Sequence, residues 1–139
     1  MNGLPKPDLL MTSVSKPFWD AVAQEGLELQ HCAECGRWVH YPRVVCPYCW
    51  EGPLEWRPVS GIGVVKTFTV IERPGHPAWR AETPYVVALV ELIEGATMLS
   101  NVVGVNPALV EVGMRVRVTF AIDGAQTLPQ FVPVASEGQ

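Results

Sequence analysis

A chain of 139 residues, 48% hydrophobic and only 17% charged, is long enough for one ordinary domain or two very small ones around a packed core. Its apolar runs are only a few residues long and no signal-peptide pattern opens it, so the sequence predicts no membrane span and a cytoplasmic location. A formal net charge of −4, with the ten basic residues scattered from Lys6 to Arg117, argues against a nucleic-acid partner, because gripping phosphates needs clustered Lys and Arg.

Residues 1–26 are expected to form an N-terminal arm and helix. The first fourteen are proline-rich and aperiodic. Ser15 can then act as N-cap, Pro17 suits the first turn, and Phe18, Trp19, Val22 and Ala23 recur at helical spacing until Gly26 stops them. Phe18 and Trp19 pack either on the chain's own core or against a partner subunit, and the pattern leaves both open.

Residues 27–56 carry the most informative segment. A short strand over Leu27–Gln30 leads into "HCAECGRWVHYPRVVCPYC", which reads Cys32-x2-Cys35, ten intervening residues, then Cys46-x2-Cys49. Two close thiol pairs in a reducing compartment predict metal ligands rather than structural disulfides. Read alone, Cys46-Pro47-Tyr48-Cys49 is also spelled like a redox dithiol. Such a dithiol needs a long helix behind it to lower the attacking thiol's pKa, and Gly52 and Pro53 forbid one here. The spacing therefore predicts paired knuckles around one structural Zn2+, with an iron site of similar knuckles as the alternative. Gly36 falls where the first knuckle needs a residue tolerant of positive φ. His31 and His40 are read as surface or supporting residues in loops.

Residues 57–139 have β texture. Strands are expected over 62–71, 85–93 and 96–103, the last two joined by the two-residue turn Glu94-Gly95. Asn106 to Glu111 reads as a capped helical turn or two ended by Gly113. A clean alternation follows over 114–122, and 130–134 is a fifth strand whose prolines confine it to an edge. Five strands with a short helix between the third and fourth is the order of a five-stranded OB-fold barrel, with a small SH3-like barrel or sandwich as the alternative. The long connection 72–84 holds Arg73, His76, Trp79 and Arg80, which are candidates for contacting CoA or substrate; the competing reading is a loop with Trp79 folded back on the barrel.

No nucleophile lies beside a base, no Gly-x-Ser-x-Gly elbow or glycine-rich phosphate loop occurs, and four thiolates would close the metal's coordination sphere. The chain is therefore not expected to be catalytic alone.

The order "KPFW", "CAECGRWVHYPRVVCPYC", "VSGIGVVKTFTVI", "PYVVALVELIEG", "NVVGV", "VGMRVRVTF" and "LPQFVPV" resembles a small acyl-CoA-associated family in which a rubredoxin-like zinc ribbon precedes an OB-fold. It was long catalogued as a domain of unknown function. The likeness runs from about residue 16 to residue 134 and includes Pro42-Arg43 and Cys46-Pro47. It implies a mainly β fold, zinc held by Cys32, Cys35, Cys46 and Cys49, and a hetero-oligomer in which a thiolase-fold subunit carries the catalytic residues of a thiolase or retro-aldolase of steroid side-chain or aromatic degradation. An acyl-CoA ester is a possible ligand. Trp50 stands where a small residue is common, which points to a subunit-specific contact; Trp38, Arg43 and Trp50 join Phe18 and Trp19 as candidate partner-interface residues. A stand-alone acyl-CoA-binding protein is the alternative, and a nucleic-acid-binding OB module a weaker one.

Overall fold

Helix α1 (Lys16–Ala23) comes first in the computed structural model, which describes residues 10–123 and 126–134. Most of the expected N-terminal arm lies outside the described residues. Phe18 and Val22, one turn apart, form the buried face of α1. Ser15 stands at the N-cap position as expected, but it has helical dihedrals and its side chain makes no bond to the helix. The exchange sits one turn earlier, where Thr12 Oγ1 accepts the Ser15 N–H at 3.1 Å and Ser15 Oγ accepts the Thr12 N–H at 3.0 Å. At the other end Glu25, not Gly26, takes the left-handed turn (φ 62°), and the Gly26 N–H closes on Ala21 O at 2.8 Å.

Three short antiparallel strands follow in the order β2-β1-β3: β1 (Glu28–Cys32), β2 (Trp38–Val39) and β3 (Leu54–Pro58). His31 therefore stands in a strand rather than a loop, because β1 runs directly into the first cysteine. Its neighbour Gln30 is the one buried polar residue among the described residues, and its amide is paired on both sides.

The remaining strands, β4 (Ile62–Ile71), β5 (Tyr85–Leu92), β6 (Thr97–Val102), β7 (Arg115–Asp123) and β8 (Gln126–Pro133), close a five-stranded barrel in the order β4-β5-β6-β8-β7, with β7 returning to β4. The register of β4 against β5 slips between Val65 and Thr67, a bulge that lets the long first strand bend around the barrel. Gly61 and Gly63 sit where β4 leaves the ribbon. A Cβ at Gly63 would meet Glu91 O at 2.5 Å, so only glycine allows the strands this close.

Two turns differ from expectation. The β5–β6 hairpin turns through Ile93-Glu94-Gly95, with Leu92 N–H bonded to Ala96 O at 2.8 Å and Gly95 at φ 115°, so the loop is three residues with glycine in the left-handed place rather than two. Strand β8 is longer than expected and is not an edge: it pairs β7 along its whole length. On its other side it meets β6 in parallel at the single pair Val102↔Phe131. The prolines reside where that second ladder is missing, so they cost no hydrogen bond. The expected turn after β6 is a 3-10 helix (Pro107–Leu109) with Asn106 Oδ1 accepting the Ala108 N–H at 3.0 Å.

One core joins these parts. Phe18, Val22, Leu27 and Leu29 belong to the same buried cluster as Val65, Val90, Met98, Val116 and Phe131. The sulfur end of the ribbon has its own small cluster around Cys32, Val39 and Cys46.

Candidate metal centre and barrel cavity

Each cysteine pair sits on a tight turn of the same design. In the first, the Gly36 N–H bonds Cys32 O at 2.9 Å; in the second, the Trp50 N–H bonds Cys46 O at 3.0 Å. Backbone N–H groups of Cys35 and Tyr48 approach Cys32 Sγ and Cys46 Sγ, each at 3.4 Å. The two turns face one another. Cys32 Sγ lies 3.7 Å from Cys49 Sγ, Cys35 Sγ lies 3.7 Å from Cys46 Sγ, and all four sulfurs fall within 4.8 Å of one another.

These distances test the metal reading. Four thiolates at about 2.3 Å from a tetrahedral zinc are about 3.8 Å apart, whereas a disulfide needs about 2.05 Å. The cage has the first spacing. Its electrostatics agree. At Cys35 the Arg37 N–H lowers the pKa, but desolvation and the three neighbouring sulfurs outweigh it and push the thiol up to about 11. At Cys46 burial acts upward, yet the N–H groups of Cys49 and Tyr48 and the sulfurs of Cys35 and Cys32 bring the thiol down to about 6. Four anions this close repel one another, and a divalent cation is what permits all of them to ionise. The four thiols are thus suited to hold a zinc ion.

Three residues support the knuckles, and of these the sequence marked only Trp50, as a departure from a small residue. Gln30 accepts the Arg43 N–H at 2.7 Å and donates to Arg43 O at 2.9 Å, which pins the loop between the knuckles to β1. Gly52 is buried against the cage, where an added Cβ would stand 2.5 Å from Cys32 Sγ and 2.6 Å from Glu34 Cβ. Trp50 occupies in the second knuckle the position Gly36 occupies in the first, and takes the same left-handed backbone (φ 64° against 77°). A tryptophan there is strained by roughly 1–2 kcal/mol.

The candidate interface residues separate by burial. Phe18, only 3% exposed, belongs to the core. Trp19 and Trp38 are half-buried against that core, Trp38 also packing edge-on to His31 with ring centroids 4.8 Å apart. Arg43, Val44 and Tyr48 are exposed, and Trp50 is 72% exposed.

The long connection after β4 is ordered into a 3-10 helix (Pro77–Glu82), with His76 Nδ1 accepting the Ala78 N–H at 3.0 Å and the Trp79 ring 5.6 Å from that of His76. It overhangs a cavity of about 820 Å3 on the barrel wall. His76 and Trp79 line this cavity; Arg73 and Arg80 do not, and both are exposed. Asn101, Gln126, Leu128 and Gln130 form its opposite side, a set that alternation alone could not single out.

Among the described residues no helix is long and apolar enough to cross a membrane. Comparison with known proteins agrees with the architecture. The profile of the ChsH2 rubredoxin-like zinc ribbon domain matches residues 19–55, and that of the ChsH2 C-terminal OB-fold domain matches residues 56–121. A probable enoyl-CoA hydratase alpha subunit of Thermomonospora curvata is 41% identical over 86% of the chain, and the 3-oxo-4,17-pregnadiene-20-carboxyl-CoA hydratase alpha subunit of Mycobacterium tuberculosis is 37% identical over 82%. The chain spans only 38% and 37% of their respective lengths. It covers 84% of a DUF35 domain-containing scaffold protein of Methanothermobacter thermautotrophicus, at 33% identity over 80% of its own length. Among solved structures, a chain of the Ltp2–ChsH2(DUF35) aldolase superposes with a TM-score of 0.81 at 36% identity, covering 91% of this chain and 98% of that one. A DUF35 protein from Sulfolobus solfataricus, with TM-score 0.63 and 15% identity over 88% of this chain and 86% of that one, shares the fold. The chain belongs to the DUF35 family, built as a ChsH2-type zinc ribbon followed by an OB-fold.

Proposed function

We propose that this chain is a noncatalytic subunit that assembles with a thiolase-fold subunit acting on CoA thioesters, as a thiolase or a retro-aldolase of steroid side-chain or aromatic degradation. In this reading Cys32, Cys35, Cys46 and Cys49 bind Zn2+, which supplies a structural crosslink and no open coordination position for chemistry. The observation that carries it is the match to nearly all of a chain from an aldolase named for two components, Ltp2 and ChsH2(DUF35). Physical features support it. The ribbon holds Trp50 in an unfavourable backbone region with its ring in solvent, a cost to folding that an interface anchor would justify.

Co-expression with a thiolase-fold protein tests the reading. Copurification as a defined hetero-oligomer, with thioester turnover only when both chains are present, is the expected result. A monodisperse single chain that turns over a thioester unaided would overturn it.

A further inference from the structure

The four cysteines are unequal in exposure and in their surroundings. Cys32 and Cys46 are buried, Cys49 is half-buried and Cys35 is exposed. A Cβ added at Gly36, the residue after Cys35, would meet nothing within 4 Å, so the outer flank of the first knuckle is open. One added at Gly52 would stand 2.5 Å from Cys32 Sγ, so the backbone of Gly52 itself covers that sulfur. An oxidant arriving from solvent therefore meets Cys35 first.

The sulfurs are also paired in a particular way. Two sulfur–sulfur contacts have hydrogen-bond geometry, Cys35 Sγ to Cys46 Sγ and Cys32 Sγ to Cys49 Sγ, each at 3.7 Å, and both run across the cage from one knuckle to the other. Within each knuckle the first sulfur instead receives a backbone N–H, from Cys35 and from Tyr48. The exposed sulfur thus faces a buried one on the opposite turn. To bond, Cys35 and Cys46 must close from 3.7 Å to about 2.05 Å, a movement for which the open first knuckle has room.

We propose that Cys35 and Cys46 form a peroxide-modification site, at which oxidation exchanges the ion for a disulfide between the knuckles and leaves the ribbon stapled. The Cys35 thiolate attacks one oxygen of hydrogen peroxide and the O–O bond breaks. The sulfur becomes a sulfenic acid, and the other oxygen leaves as hydroxide. The Cys46 thiolate then attacks the sulfenic sulfur, the S–S bond forms, and the second oxygen leaves as hydroxide. The two thiolates lose two electrons, the peroxide gains them, and two protons from solvent turn both hydroxides into water. With two of its four ligands consumed, the site no longer holds zinc. A second peroxide joins Cys32 to Cys49 by the same steps. Chelation, in contrast, leaves four free thiols and no link between the turns. The modification needs neither a partner subunit nor a thioester.

Treating the full zinc-loaded chain with hydrogen peroxide, alkylating the remaining thiols and digesting with trypsin tests this. Trypsin does not cut before proline, so Lys6, Lys16 and Arg57 are passed over. Cuts after Arg37, Arg43 and Lys66 separate residues 1–37, which hold Cys32 and Cys35, from residues 44–66, which hold Cys46 and Cys49. A disulfide within either knuckle leaves these two peptides apart; one across the cage links them until a reductant is added. At one equivalent of peroxide the dominant product is expected to be the linked pair, its bond assigned by fragmentation to Cys35 and Cys46, with Cys32 and Cys49 alkylated. Zinc is expected to appear on a chromophoric chelator in step with the link. The linked chain should keep the Gly36 and Trp50 N–H groups protected in hydrogen exchange. Disulfides confined within the knuckles, a first bond at Cys32–Cys49, zinc loss without a disulfide, or four thiols that survive excess peroxide would each overturn the proposal. Loss of protection at Gly36 and Trp50 in the linked chain would overturn it equally, because the disulfide would then not replace the ion as a staple.

Discussion

Trp50 and Gly52 show how much the ribbon depends on single positions. Both sit just past the last cysteine, yet they ask opposite things of a side chain. Replacing Trp50 by glycine relieves left-handed strain of roughly 1–2 kcal/mol and gives back roughly 0.5–1 kcal/mol to the unfolded chain's freedom. Trp50→Gly is therefore expected to leave stability unchanged or raise it by up to about 1 kcal/mol in a thermal melt, although it deletes a large aromatic ring. The same variant is expected to weaken copurification with the partner; a clear loss of stability instead would show that the ring packs on its own chain. Gly52→Ala should do the reverse: its methyl group would press on Cys32 Sγ, so zinc is expected to pass to a chromophoric chelator at least about tenfold faster or more completely. The sequence marked Trp50 as a candidate contact, but neither its left-handed backbone nor the part played by Gly52 was legible there. The four cysteines were, because their spacing alone specifies two knuckles; the left-handed φ at Trp50 and the approach of Gly52 to sulfur exist only once both knuckles have folded against each other.

At the scale of elements, periodicity located β4, where alternation and a preceding glycine gave the strand its bounds of 62–71. It missed β2 and β3, one because two residues hold no period and the other because Trp56-Arg57-Pro58 reads as a boundary. It also read β8 as an edge, since a proline-bearing strand that closes a barrel through one pair looks like an edge in sequence. The segment joining β2 to the second knuckle carries a pH-sensitive contact. His40 packs with ring centroids 5.4 Å from Phe18 and 4.6 Å from Tyr41, and burial brings its pKa down from 6.5 to about 4. The folded chain therefore keeps His40 neutral where the unfolded chain protonates it. Its contribution is fully present above pH 6.5 and is lost as pH falls towards 4. Between pH 7.5 and pH 5 the unaltered chain is expected to lose about 2 kcal/mol more than His40→Leu in denaturant unfolding with zinc saturating, the second chain serving to subtract acid effects at the sulfurs. Equal losses in both would show that His40 is solvated in the folded state.

For the whole molecule, the question is whether ribbon and barrel stand or fall together. The core gives a divided answer. Leu27 and Leu29 at the start of the ribbon are buried in the same cluster as the barrel's Val90 and Phe131, with α1 packed beside them. The distal ribbon's buried hydrophobic side chains are only Cys32, Val39 and Cys46, with Cys49 and Leu54 against them, far too little apolar surface to order some twenty residues. Zinc supplies the difference, on the order of 10 kcal/mol for a four-thiolate site. Chelation is therefore expected to unlock the segment between Cys32 and Pro53 while α1, β1 and the barrel remain folded. Hydrogen exchange reads this directly: protection of Val39 and of the N–H groups of Gly36 and Trp50 should vanish on metal removal, and that of Val65, Val90 and Val118 should persist. Loss of protection throughout the chain would mean that the metal holds the whole fold. Retention throughout would mean that the four sulfurs need no ion to stay assembled.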